Sequence, residues 1–280
     1  MVQARVAVVI PCFNDGSFLE GALASIRESE PVELIVVDDG STDEKTLATL
    51  EQIAARGVPI LRRANGGLAS ARMAGVAATR ARYVLPLDSD DELEPGSATR
   101  LADALDGDAS LAFVYGHRRF LGEGSSVRRA PPWDPFALLY ANRYGYSGLY
   151  RRDILLEVGG WSLNGCYEDW DLLLAFAECG YAGAPVDQTA LHYRRHNTAR
   201  LNEQCLKRHR RAYKVLRQRH QALFAQRGEL AHRAGASLWR QALEPVCNGS
   251  RPIKPFWLYW ALRGRRSLRP SFAGPGGSDA

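Results

Sequence analysis

The sequence predicts an α/β fold: a mostly parallel central sheet flanked by helices, followed by a basic helical C-terminal extension. Three observations predict it. Short β-rich runs alternate with helical patterns through the first half of the chain. Those runs are continuously apolar rather than alternating, as expected for strands of a parallel sheet covered on both faces. Three of the runs end in very polar sequence, Pro11-Cys-Phe-Asn14, Asp38-Asp-Gly-Ser-Thr42 and Asp88-Ser-Asp-Asp91. In open α/β folds ligands bind beyond the carboxyl ends of the strands, so the three segments are expected to meet along one edge.

Taken in order, Val6–Pro11 reads as strand, Phe18–Ser29 as helix, Val32–Asp38 as strand and Asp43–Ala55 as helix. Val58–Leu61 is a short strand, Leu68–Ala78 a helix of small residues and Tyr83–Leu87 a fourth strand. Beyond Gly107 the pattern loosens. Leu111–Tyr115 reads as strand, and Gly122–Ala130 as a loop rich in Gly, Ser and Arg. Helical segments follow at Pro135–Ala141, Arg151–Val158 and Glu168–Cys179, and Gly183–Leu191 leads into His192-Tyr-Arg-Arg-His196. Glu203 to Glu244 reads as one or two basic helices broken near Gly228, where glycine disfavours a helix interior.

Charge divides the chain more sharply than pattern does. From Arg200 onward there are 17 Lys or Arg against 4 Asp or Glu, whereas residues 1–199 hold 19 against 27. The expected organisation is an α/β domain over 1–199, a basic helical extension over 200–272 and a disordered tail over 273–280. Five cysteines, Cys12, Cys166, Cys179, Cys205 and Cys247, are odd in number and scattered, with no CxxC pair. This argues against a disulfide framework or zinc site and for a reducing compartment. The strand at Val6 leaves no room for a signal peptide, and no apolar run is long enough to span a bilayer. A cytoplasmic protein is expected.

The run Tyr83-Val-Leu-Pro-Leu-Asp-Ser-Asp-Asp91 delivers three carboxylates to one point. Two carboxylates ~4 Å apart repel by roughly 4 kcal/mol at an effective dielectric near 20. Residues two apart in extended chain face the same side, so Asp88 and Asp90 can converge on one cation. Hard oxygen ligands suit Mg²⁺ or Mn²⁺. A solvated acidic turn or helix cap is the alternative. Asp38 and Asp39 end the second strand, where a carboxylate can accept hydrogen bonds from a nucleobase or ribose. Gly40 permits the turn, and Ser41, Thr42 or Asp43 can cap the next helix. Asn65-Gly66-Gly67 opens a helix carrying Arg72, an arrangement suited either to a diphosphate cradle or to a plain turn.

Val6-Ala-Val-Val-Ile-Pro-Cys-Phe-Asn14, Glu33-Leu-Ile-Val-Val-Asp-Asp-Gly-Ser-Thr-Asp43, Asn65-Gly-Gly-Leu with Ala71-Arg72, and Leu85-Pro-Leu-Asp-Ser-Asp-Asp91 together resemble glycosyltransferase family 2. Members have the GT-A fold and are inverting enzymes with nucleotide-sugar donors, linked to UDP, GDP or dTDP. The resemblance covers roughly residues 4–200 and departs at Met73, where the family commonly has Asn. It implies that Asp39 and Asp38 contact the base or ribose, and that Pro11 and Phe13 line the nucleoside pocket. Arg72, with the Asn65-Gly66 turn, would face the donor phosphates. Asp88, Asp90 and Asp91 would hold Mn²⁺ or Mg²⁺, with Asp90 the most direct ligand and His196 able to approach the metal. Gly165-Cys-Tyr-Glu-Asp-Trp-Asp171 resembles the family's Glu-Asp motif, which makes Asp169 the base and Glu168 the second candidate. Acids beside a helix N-terminus also have a purely electrostatic explanation. Trp161, after Gly159-Gly160, and Trp170 are expected on the acceptor side, Trp161 to stack on a sugar or to pack in the core.

The resemblance further implies a glycan or lipid-linked acceptor and a role in cell-surface polysaccharide synthesis. In the tail, Phe256-Trp-Leu-Tyr-Trp-Ala-Leu262 is flanked by Lys254, Arg263, Arg265 and Arg266. Aromatics beside cations suit an anionic membrane surface, which would make the protein peripheral at the inner face of the membrane. A helix packed on the core is the alternative. No nucleic-acid partner is expected, because such a role leaves the aspartate clusters without a purpose.

Overall fold

A computed structural model of the chain describes residues 3–121, 126–194, 205 and 207–249. Its centre is a mixed sheet of nine strands: β1 (Val6–Cys12), β2 (Val32–Asp38), β3 (Ile60–Arg62), β4 (Tyr83–Pro86), β5 (Glu92–Leu93), β6 (Leu111–Leu121), β7 (Ser126–Arg128), β8 (Leu149–Arg151) and β9 (Ala182–Arg194). The spatial order is β3-β2-β1-β4-β8-β6-β9-β5, with β7 on β6. The first four strands are parallel, as the continuous apolar runs predict. β8 then enters antiparallel between β4 and β6, so β6 and its parallel neighbour β9 run the same way as β4. The C-terminal ends of β1, β2, β4, β6 and β9 therefore share one edge.

β6 runs six residues past its expected end at Tyr115, through His117-Arg-Arg-Phe-Leu121. His117, Arg118 and Arg119 break the apolar run, yet the strand continues because the segment pairs with β9 on one side and β7 on the other.

Helices cover both faces. β1 is buried throughout. Val8 and Ile10 join α1 (Gly16–Ser25), α2 (Glu44–Ala55) and α4 (Ser97–Gly107) through Leu19, Leu50, Ile53 and Leu101. Val9, Val37 and Val84 lie in the opposite core with Phe113, Tyr150, Leu172 and Phe176. There α3 (Leu68–Ala78) comes so close that a Cβ on Gly75 would lie 2.3 Å from Val9. This is why the helix is built of small residues.

The second core also holds α5 (Pro135–Leu138), α6 (Arg152–Glu157), α7 (Glu168–Glu178) and part of the basic extension. Among the described residues the extension contains α8 (His209–Arg219), α9 (Gln221–Ala225), α10 (Arg227–Arg233) and α11 (Leu238–Asn248), more pieces than the one or two helices expected. The breaks fall at His220, Gln226 and Gly235 (φ +56°), while Gly228 is tolerated in the first turn of α10. Tyr213, Leu216, Leu223 and Leu230 are buried in the core, so α8, α9 and α10 pack on the sheet layer. The expected domain boundary at 199, His196, the segment 256–262 and the tail 273–280 lie outside the described residues.

The cysteine reading is corrected. Cys166 and Cys205 form a disulfide with Cα atoms 5.3 Å apart, inside the bridging range. Thirty-nine positions separate them in sequence, and only the docking of the extension beside the start of α7 brings them together. The argument from scattered cysteines to a reducing compartment therefore falls. Among the described residues no helix is long and apolar enough to cross a membrane.

A charged cluster fastens the extension. Asp171, 2% exposed, accepts from Arg219 Nε at 2.8 Å and meets His220 Nε2 at 2.9 Å, while His220 Nδ1 lies 2.8 Å from Glu178. Burial alone pushes the His220 imidazole down, but its hydrogen bonds to Asp171 and Glu178 outweigh that and raise it above 6.5. A group with a raised folded value stabilises fully below its unfolded value and loses that contribution as pH climbs through the folded one. The gap in Tm between wild type and His220→Gln is thus expected to be widest near pH 6 and to narrow toward pH 8, measured by calorimetry. A gap independent of pH would remove the charged imidazole from the docking contact.

Candidate active site

The candidate site lies along the shared strand edge. β1 and β2 are in register from Val6↔Val32 to Cys12↔Asp38, and the Asp39 amide continues the ladder to Cys12 O at 2.9 Å. Pro11 is buried in β1, while Phe13, next past the strand, is 49% exposed at the mouth. Asn14 adopts φ +52°, and its Oδ1 accepts from Thr42 N at 2.7 Å and Asp43 N at 2.9 Å.

The two aspartates at the end of β2 are buried and do different things. Asp38 Oδ1 accepts from Ser41 N at 2.9 Å and closes the turn. Asp39 reaches across to the Asn65-Gly66-Gly67 segment, accepting from Gly66 N at 3.0 Å and Gly67 N at 2.7 Å, with Arg63 Nε 3.1 Å away. The turn between them passes so near that a Cβ on Gly40 would lie 2.7 Å from Asn65 N, and Gly40 itself has φ +77°. Only glycine fits both demands. The Gly66 and Gly67 amides thus face Asp39, and a ligand carboxylate or phosphate would compete with that contact.

At the end of β4 the expected acidic cluster forms. Ligand oxygens of Asp88, Asp90 and Asp91 lie within 4.8 Å of one another. Asp91 is 1% exposed, and its carboxyl is raised well above the usual range by burial and then by the charges of Asp90 and Asp88. Tyr146 organises the cluster. Its hydroxyl donates to Asp91 Oδ2 at 2.5 Å and accepts from Asp88 N at 3.3 Å. Arg194, at the end of β9, donates its backbone N–H to Asp91 Oδ1 at 2.8 Å and its Nε to the Asp90 carbonyl at 3.0 Å. His192 is turned to Glu94, 2.6 Å away.

Arg72 departs from expectation. Rather than standing open toward donor phosphates, its side chain is 1% exposed. Nη2 donates to Asp88 Oδ1 at 2.7 Å and Nη1 to Glu168 Oε1 at 3.1 Å. The guanidinium lies 4.9 Å from the Tyr146 ring centre and 5.6 Å from that of Trp161, a favourable placement for a desolvated cation. One buried arginine therefore joins the acidic cluster to the start of α7.

Glu168 and Asp169 open α7 after Tyr167, which holds φ +71°. Asp169 Oδ2 accepts from Asn142 Nδ2 at 2.8 Å and Oδ1 from Trp170 N at 2.8 Å. Burial raises both carboxyls above their ordinary range. Glu168 is pushed up to about 7, first by burial and then by Asp169, against the opposing pull of Arg72. The helix N-terminus favours the charged forms, but loss of water outweighs it.

Both tryptophans lie in the core, which for Trp161 is the second of its two expected placements and for Trp170 departs from the acceptor side. Trp161 and Trp170 are each 3% exposed in the second core. Trp170 Nε1 donates to Leu138 O at 2.7 Å, and Trp161 stands edge-on to Tyr150 at 5.6 Å. Stacking on a sugar needs an open ring face, which neither offers. Asn142 and Tyr146 were not singled out from the sequence, whereas Arg194 lies in the basic His192–His196 segment, of which only the histidines were given roles. The first two come from 142–148, a stretch without helical or strand period, and they carry no motif of their own.

Strand-edge carboxylates, an acidic cluster and a Glu-Asp helix start thus lie together along one edge of the sheet. Residues 7–159, over half the chain, match the family model for glycosyl transferase family 2, and the chain belongs to that family. Chondroitin synthase of Pasteurella multocida (strain Pm70) is 27% identical over 187 residues, covering 62% of this chain and 19% of that protein. Dodecaprenyl-phosphate galacturonate synthase of Rhizobium johnstonii is 28% identical over 170 residues, covering 55% and 50%. The chain thus spans from about a fifth to half of these relatives. Among solved structures, S. aureus TarS 1-349 in complex with UDP-GlcNAc aligns with a TM-score of 0.60 over 71% of this chain and 60% of that one. At 18% identity this likeness establishes the fold.

Proposed function

We propose that the protein transfers a sugar from a nucleotide-sugar donor to a hydroxyl of a glycan or lipid-linked acceptor, with inversion, in the synthesis of a cell-surface polysaccharide. The observation that carries this reading is Arg72, whose two terminal nitrogens tie a leaving-group site, through Asp88, to a base site, through Glu168. A single displacement needs those two sites held rigidly on opposite sides of one anomeric carbon. Donor type is supported by TarS, solved with UDP-GlcNAc, and product type by the chondroitin synthase relative.

The residues at the end of β4 fit a divalent cation. Three carboxylates converge within 4.8 Å, a set of hard oxygen donors suited to a divalent ion, and burial followed by the charges of Asp90 and Asp88 raises the Asp91 carboxyl. Asp88, Asp90 and Asp91 would hold Mn²⁺ or Mg²⁺, which neutralises charge on a departing nucleotide diphosphate. Asp169 takes the proton of the acceptor hydroxyl as its oxygen bonds to the anomeric carbon and the bond to the donor phosphate breaks. Asn142 and the Trp170 amide fix the orientation of that carboxylate. Asp39 can still accept from a nucleobase or ribose, because a carboxylate offers about four lone-pair sites and the Gly66 and Gly67 amides and Arg63 do not exhaust them. Phe13 offers an exposed ring for the base. Arg72 acts on the donor through the placement of Asp88.

Calorimetry with a panel of UDP-, GDP- and dTDP-sugars, with Mn²⁺ and with EDTA, tests the reading. One donor is expected to bind only with the metal, and Asp90→Asn to weaken it at least about tenfold, the loss of a charge-assisted contact of ~1.4 kcal/mol or more. Donor binding indifferent to both metal and variant would overturn the metal's role. A product with retained anomeric configuration would overturn the single displacement.

A further inference from the structure

α11 is oriented contrary to what a helix in water requires. Its one buried residue is a charged one, Glu244, 1% exposed. Glu244 receives Arg143 Nη2 at 2.6 Å and Asn248 Nδ2 at 2.8 Å, and Arg240 beside it is paired with Asp134. The opposite side carries Leu238, 83% exposed, Trp239, 76% exposed, Val246, 48% exposed, and the exposed Ala242. At 100° per residue these four fall within about 100° of arc, one continuous stripe. The other exposed large apolar side chains among the described residues, Phe13, Leu47, Val127 and Leu156, stand on separate elements. A stripe of this kind calls for an apolar cover.

Charge identifies the cover. His209 Nε2 lies 2.9 Å from Gly249 O, which places the exposed Lys207, Arg208 and Arg210 beside the C-terminal end of α11. The exposed Arg233 precedes its N-terminal end by five residues. Residues 207–249 hold 10 Lys or Arg against 2 Asp or Glu. A second copy brought face to face by a two-fold axis would oppose one cationic rim to another. A bilayer carrying anionic headgroups satisfies both the stripe and the rim.

We propose that α11 is a membrane-docking helix, lying in the plane of an anionic bilayer with Leu238, Trp239, Ala242 and Val246 in the headgroup–acyl boundary. The inference does not rest on the transfer reaction, since α11 holds none of the residues assigned to donor, metal or base. It is also separate from the aromatic segment 256–262.

Co-sedimentation of the full chain with vesicles of phosphatidylcholine, with and without phosphatidylglycerol, tests it. The wild type is expected to bind the anionic vesicles and to be released by salt. Leu238→Glu combined with Trp239→Glu is expected to weaken binding at least about tenfold, whereas Leu156→Glu, exposed on α6, leaves it unchanged. Because the altered side chains are exposed, Tm should not move; were the double variant to unfold, Trp239→Ser gives the same comparison. No sedimentation of the wild type, or full binding by a folded variant, would overturn the proposal. So would a dimer in light scattering that the double variant turns into monomer, since a second copy would then be the cover.

Discussion

Asp169→Asn is expected to lower kcat by about 10²–10⁴, the usual contribution of a positioned general base, while donor affinity stays within about twofold. The structure makes this variant unusually clean. Asn at 169 keeps an oxygen able to accept from Asn142 Nδ2 or from the Trp170 amide, so the side chain has reason to stay where Asp169 is. What is lost is the capacity to take a proton. Glu168→Gln should behave differently, because Glu168 is tied to Arg72 and its neutralisation disturbs the link to Asp88. Stopped turnover in Glu168→Gln together with an active Asp169→Asn would transfer the base to Glu168. The pair also sets the pH profile. Burial and the neighbouring Asp169 push Glu168 up to about 7, and Asp169 is raised too, so the two carboxyls take up a first proton near neutrality as a pair. The base must be ionised, and because burial raises Asp169 as well, the acid limb of kcat/KM is expected at higher pH than an ordinary carboxylate would give.

Why the acidic motifs were legible, and their supports were not, follows from where the information lies. An apolar run ending in Asp88, Asp90 and Asp91 is a local pattern whose electrostatic cost is visible without a fold, and the parallel strands at Val6, Val32 and Tyr83 place it at an edge. Arg72 was found but misplaced. Sequence showed a cation one turn into a helix; only the entry of α7 beside α3 decides that carboxylates rather than a ligand claim it. Tyr146 escaped because hydroxyl contacts to Asp91 and Asp88 depend on an irregular segment folding back under β4. Trp161 and Trp170 show that residue type does not carry exposure, since an indole serves a core as well as a sugar. Cys166 and Cys205 make the same point for pairing, because their approach depends on how the extension docks. The inward polar face of α11 was likewise hidden, as a helical period locates an apolar stripe but not the side on which the protein lies.

Arg72→Met is expected to destabilise the fold by ~3–5 kcal/mol, the cost of breaking a buried ion pair from one side. Burial by itself would lower the proton affinity of this guanidinium, but Asp88 and then Glu168 more than reverse that, so the charge is held firmly in place. Methionine would fill most of the volume between Tyr146 and Trp161, which separates the loss of charge from the loss of packing. What remains is uncompensated: Glu168 on one side, and on the other Asp88, whose neighbours Asp90 and Asp91 already crowd it. Spread over a domain of this size, the loss corresponds to a fall in Tm of roughly 10 °C, readable by calorimetry or chemical denaturation. Arg72→Lys should lie between, because an ammonium keeps the charge but cannot serve two carboxylates with a planar fork. Adding Glu168→Gln to Arg72→Met should recover part of the stability, since it removes one of the stranded charges. A cost for Arg72→Met below about 1 kcal/mol, with no recovery in the double variant, would mean that the two carboxyls are neutral when buried and that the arginine is not their counter-ion.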